Sequence, residues 1–169
     1  MMLGFSAIAS YAQESDGDYR GAIGGRVGTS FYDLLSVSFK TFVSGNGAIE
    51  LNGGFGIRGY AGYYGGYYYD DRPFSLSASA AYQHHFNIPV RGLKWFVGGG
   101  LTVAQSFSDN DALKEFNFGL FPTGGIDYKI PRIPLNVSAD IRPTFFVTNP
   151  SIYNDVVASF GVSARYTFR

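Results

Sequence analysis

The chain contains no cysteine, few charges and little helical pattern. Without cysteine there is no disulfide framework, no thiolate metal site and no thiol nucleophile. Only 15% of the 169 residues are charged, against about 25% in ordinary soluble domains. The net charge is zero, which leaves no excess of bases of the kind that marks nucleic-acid binding. Long apolar runs are missing as well, since none approaches the ~18–20 residues that a membrane helix needs. Helical periodicity is confined to DALKEF, Asp111 to Phe116, inside a polar stretch.

What is present is glycine and aromatic side chains: 23 Gly, 16 Phe and 13 Tyr, with 46% hydrophobic residues and a mean hydropathy of zero. A barrel in a membrane produces this balance, because apolar residues facing lipid alternate with polar residues facing the lumen and the average cancels. The length suits one domain with a complete interior.

Residues 1–12, MMLGFSAIASYA, are apolar and rich in small residues, and they end Ser10-Tyr11-Ala12 before Gln13. They read as the remnant of a secretory signal peptide whose start lies upstream. The barrel domain is then expected over residues 13–169.

Most of the remaining chain alternates with period two, so that residues i and i+2 share a face. From Val156, the residues Ala158, Phe160, Val162, Ala164, Tyr166 and Phe168 lie on one side, and Ser159, Gly161, Ser163, Arg165 and Thr167 on the other. The pattern recurs upstream and predicts eight strands near 20–30, 34–44, 48–59, 73–86, 93–105, 116–130, 134–146 and 154–168. The expected fold is therefore all-β: an eight-stranded, antiparallel, up-and-down transmembrane β-barrel. The connections after the second, fourth and sixth strands are short. Those after the third, fifth and seventh are longer and more polar, which places the short turns in the periplasm and the long loops outside. The connection after the first strand is short and departs from this scheme. Six outward aromatics, Tyr82, Phe86, Trp95, Tyr128, Tyr166 and Phe168, gather at the periplasmic level as an interfacial girdle.

The stretch IPLNVSADIRPTFFV, Ile133 to Val147, and the ending GVSARYTFR resemble a family of small bacterial outer-membrane β-barrel proteins. VSFKTFVSGNGAIEL, LKWFVGGG and GGIDYKI carry a weaker likeness. The family is similar in fold to the OmpA membrane domain and OmpX. The resemblance implies an integral outer-membrane location, contact with lipid and lipopolysaccharide, and no established catalytic residues. The aromatic Phe168 resembles the signal read by the barrel-assembly machinery, with Arg169 after it as a departure.

Ten inward charges are expected to form a hydrogen-bonded network that plugs the lumen: Arg26, Lys40, Glu50, Arg58, Lys94, Asp127, Lys129, Asp140, Arg142 and Arg165. Bases exceed acids among them, so a narrow anion-selective pore or small-solute transporter is the alternative. A lipid-modifying enzyme is a second alternative, resting on His84 and His85. Adjacent residues on a strand point to opposite faces, so these two cannot chelate one metal together; His84 belongs to the girdle and His85 to the lumen, near the periplasmic end.

Gly54 to Gly59 matches G-x-G-x-x-G, but no helix follows and the phosphate-binding context is absent. Asp109, Asn110 and Asp111 lack the spacing of a calcium loop. No cofactor, no metal and no catalysis are expected. The segment YAGYYGGYYYDD from Tyr60, with Tyr63, Tyr64, Tyr67, Tyr68 and Tyr69, is the candidate surface-binding loop for an extracellular partner, or else an extension of its hairpin against lipid headgroups. A soluble ligand-binding barrel is the rival at the level of fold, and it would reverse the polarity of every strand.

Overall fold

The computed structural model describes residues 19–57, 60–64, 67–71, 74–107, 116–148 and 156–169. Among them lie ten strands and no helix: β1 Gly21–Ser30, β2 Asp33–Phe42, β3 Gly47–Ile57, β4 Tyr60–Tyr64, β5 Tyr67–Asp71, β6 Phe74–Asn87, β7 Leu93–Phe107, β8 Phe116–Ile130, β9 Leu135–Phe146 and β10 Val156–Phe168. Eight strands close into a barrel in the order β1-β10-β9-β8-β7-β6-β3-β2, and β4 and β5 form a separate two-stranded sheet. All pairings are antiparallel, and the barrel is sealed where Gly21 faces Phe168 and Gly28 faces Gly161. Closure removes the free sheet edges, which matters most in lipid, where an unpaired backbone group has no water to bond.

The eight barrel strands fall on the eight predicted ones with small differences at the ends. The shortest, β1 and β2, have 10 residues each, enough to cross a bilayer when tilted. The tyrosine-rich segment adds its own hairpin, with Tyr63 opposite Tyr68.

The polarity is inside-out. On β10, Phe160, Val162 and Tyr166 are 55%, 57% and 60% exposed, whereas Ser159, Ser163 and Arg165 between them are buried. The largest fully buried side chains are Arg26, Arg165 and Lys40. A soluble ligand-cavity barrel has the opposite arrangement, so that rival is excluded.

Both ends of the barrel sequence lie at one rim, together with the turns 43–46, 88–92 and 131–134; we call it the terminal rim. The far rim carries the tight turn 31–32 and the strand ends Ile57, Phe74, Phe107, Phe116, Phe146 and Val156, between which the longer connections run. Tight turns demand particular backbone angles, and Gly92 (φ 81°) and Arg132 (φ 70°) take the left-handed conformation at the terminal rim.

Candidate functional site: the charged lumen and its two rims

The strand alternation that exposes apolar residues aims the intervening charges at one another. In the lumen they form a continuous chain. Starting near the terminal rim, Lys40 Nζ lies 2.7 Å from Asp127 and 3.5 Å from Glu50. Glu50 also receives Arg142 at 2.5 Å and Arg165 at 3.1 Å. Arg142 Nε continues to Asp140 at 2.7 Å, and Asp140 meets Arg26 at 2.8 Å. Arg26 finally pairs with Asp33 towards the far rim. Four cations thus face four carboxylates among the described residues, and each acid has a base at contact distance.

Neutral donors add to the network at two of its carboxylates, Glu50 and Asp127. Gln83 Nε2 and Asn52 Nδ2 donate to Glu50 at 3.0 and 3.1 Å. Tyr19 Oη donates to Asp127 at 3.2 Å, and Asn136 Nδ2 donates to the other oxygen of the same carboxylate. Arg165 donates to Ser38 and Ser138 at 2.9 and 2.7 Å. Rings occupy what polar groups leave: Lys40 lies over Phe96 and Arg142 over Phe121. A buried charge without a partner is expensive, whereas one in a satisfied network is held by attraction strengthened by the low local dielectric. At β10 the network depends on a missing side chain, since a Cβ on Gly161 would overlap the Arg26 guanidinium.

Seven of the ten expected lumen charges therefore come together: Arg26, Lys40, Glu50, Asp127, Asp140, Arg142 and Arg165. Lys94 lies over the Phe42 ring, half-buried. Lys129 turns to the rim, where its Nζ donates to the carbonyls of Ile130 and Ile133. Arg58 falls outside the described residues. Asp33 joins the paired chain as a carboxylate that was not expected there. Asp33 was missed because it precedes the predicted start of its strand. Gln83 and Asn136 sit on the polar face by parity but carry no charge to single them out.

The six girdle aromatics all face outward and are at least 36% exposed. Phe86 stacks on Trp95 with ring centroids 4.3 Å apart, and Phe168 stacks on Phe39. A second group of outward rings, not expected from the sequence, lies towards the far rim: Phe74 stacked on Phe55, with Phe107, Phe116, Phe145 and Phe160.

The two histidines diverge as strand geometry requires. His84 packs edge-on against Phe86 on the outside. His85 is buried, 4.9 Å from the Phe42 ring and 5.2 Å from Phe96, with Nε2 3.5 Å from Asp127. Among the described residues no group of three His, Asp or Glu is placed to hold a metal ion. Asp109, Asn110 and Asp111 lie outside the described residues. The G-x-G-x-x-G stretch begins within β3, which runs to Ile57.

No protein-family model matches the sequence, and no curated protein matches it. Solved structures do. The attachment invasion locus protein Ail of Yersinia pestis is 17% identical, with 91% of this chain and 100% of that chain covered and a TM-score of 0.47. Neisserial surface protein A, NspA, is also 17% identical, with 88% and 94% covered and a TM-score of 0.51. Both are small eight-stranded outer-membrane barrels. The likeness to NspA is one of fold: a closed eight-stranded antiparallel barrel that spans nearly all of both chains.

Proposed function

We propose that this protein is an integral barrel of the bacterial outer membrane, plugged by its own side chains, that acts in envelope structure and in surface contact through its far-rim connections. The observation that carries the reading is the combination of an apolar exterior with a charge-balanced ion chain running along the lumen from Asp127 to Asp33. An eight-stranded barrel has an interior just wide enough for side chains to fill, and paired charges at contact distance support a lumen closed to ions. Outer-membrane barrels keep short turns in the periplasm, which orients the terminal rim inward. The outward aromatics then meet the lipid and lipopolysaccharide interfaces, and Phe168 is the group offered to the assembly machinery.

The role is non-catalytic on this reading. His85 is shut between Phe42 and Phe96 at the wrong end of the barrel for chemistry on the outer leaflet. The hairpin containing Tyr60, Tyr63, Tyr64, Tyr67, Tyr68 and Tyr69 extends the far rim and is the first candidate to touch an extracellular partner. Replacing Tyr63 and Tyr68 with serine should then weaken cell-surface adhesion while leaving the barrel intact.

The decisive experiment is migration of outer-membrane fractions on SDS gels with and without boiling, followed by conductance in planar bilayers. A closed barrel shifts on boiling and stays electrically silent. A soluble protein with no shift would sink the membrane reading, and steady ionic current would replace the plug with a pore.

A further inference from the structure

The ion chain fills the middle of the lumen, and a different closure lies towards the far rim. The β1–β2 turn consists of Phe31 and Tyr32. Pairing of β1 with β2 shifts register between Val27 and Ser30, and such an irregularity bends a hairpin locally. The turn backbone lies against β3, where a Cβ on Gly56 would overlap the Phe31 carbonyl. Turn residues ordinarily sit at the surface, yet Tyr32 is only 4% exposed. Its hydroxyl lies 2.6 Å from Thr144 Oγ1 on β9. Its ring meets Phe146 edge-on with centroids 5.4 Å apart, and Phe31 packs edge-on against Tyr32 in turn. Ala104 completes this buried cluster, with Val157 packed against it. Ala104 belongs to β7, which stands opposite β1 in the strand order of the barrel. The cluster therefore joins the turn to the opposite wall across the mouth.

Towards the ion chain the lining is small and polar. Ser36, Asn52 and Ser159 face inward and are buried, and Ser36 Oγ, Asn52 Oδ1 and Ser159 Oγ have no hydrogen-bond partner among the described residues. Buried polar atoms without a protein partner are ordinarily satisfied by water. Space remains there, because Gly54 and Ser77 oppose each other on the inward faces of β3 and β6 and are only partly buried.

We propose that Tyr32 is the movable cap of a water-holding chamber in the far half of the lumen, and that its displacement admits water and small uncharged polar solutes as far as the ion chain. The side chain is held by a hydroxyl contact and by ring packing rather than by backbone pairing, so it can swing aside with every strand pairing intact. This adds a second closure, one that opens, to the fixed plug made by the ion chain.

The chain has no cysteine, so a thiol placed in the lumen is the only one to react. Ser159→Cys sets it beneath the cap, at a residue 1% exposed whose hydroxyl bonds nothing. This reporter is combined with Tyr32→Ala or Tyr32→Phe. The folded barrels in neutral detergent are treated with N-ethylmaleimide, a small neutral reagent, and alkylation is timed by intact mass. With Tyr32 in place the thiol should react slowly. Tyr32→Ala should speed it roughly tenfold or more, and Tyr32→Phe, which keeps the ring and loses the hydroxyl contact, should fall between. Asn46→Cys, exposed in a terminal-rim turn, should react fast and alike in all three backgrounds. Heat-modifiable migration checks that each variant is a closed barrel, and Phe146→Ala, which removes the ring that Tyr32 packs on, serves in place of Tyr32→Ala if that variant does not close. Equal rates at position 159 with and without the Tyr32 ring, or a rate in its presence as fast as at position 46, would overturn the cap. Faster alkylation accompanied by steady ionic current in planar bilayers would overturn the claim that entry stops at the ion chain.

Discussion

Glu50 is shared by three cations, Lys40, Arg142 and Arg165, and by two amide donors. Replacing it with glutamine keeps the shape and removes the charge, leaving those cations to repel one another. Glu50→Gln should lower unfolding stability by about 3–5 kcal/mol, the cost of breaking a buried pair from one side, read from denaturant unfolding in micelles. Tyr19 offers a pH test at the rim. Burial, and then the nearby Asp127 carboxylate, hold its phenol neutral and push its pKa well above the ordinary value. The unfolded chain ionises this group at about pH 10, the folded chain only at higher pH. Its contribution is therefore complete below about pH 10 and is lost as pH rises towards the folded value. Tyr19→Phe should lose stability less steeply than the parent on moving from neutral to strongly alkaline buffer.

At the scale of elements, the strands were legible because one face of each meets lipid and the other the lumen, so the period-two signal is strong along their whole length. β8 was placed from Phe116 to Ile130 by alternation alone, and it spans those residues. The segment of β4 and β5 was open between a binding loop and an extension of its hairpin, because its run of tyrosine and glycine has no apolar–polar alternation to reveal a register; its backbone is a hairpin. The terminal-rim turns depend on two left-handed residues. At Gly92 a Cβ would also press on the Lys129 carbonyl. Gly92→Ala should cost about 1–2 kcal/mol, measured as a drop in the unfolding midpoint, with the barrel still closed.

For the molecule as a whole, the outer surface sets its depth in the bilayer. Trp95 is the sequence's one tryptophan and is 42% exposed in the terminal-rim belt. In reconstituted vesicles its fluorescence should be quenched most strongly by quenchers placed near the headgroups and least by quenchers at the bilayer centre. Quenching that peaks at the centre would mean that the belt does not lie at the interface. Far-rim rings such as Phe107 and Phe160 are likewise exposed on the outer face.

Alternation, composition and turn residues determined the class of fold, the number of barrel strands and which face of each strand looks inward, because these follow from local chemistry repeated at a fixed period. They also determined which charges enter the lumen, with the few exceptions at strand ends. Only the tertiary structure decided who pairs with whom. Glu50 and Arg142 are 92 residues apart, and Arg26 and Asp140 are 114 apart. Such meetings depend on the register of closure and on how far each long side chain reaches across the barrel, and no local pattern encodes either. The same closure brings the strand ends and turns of distant parts of the sequence together at one rim.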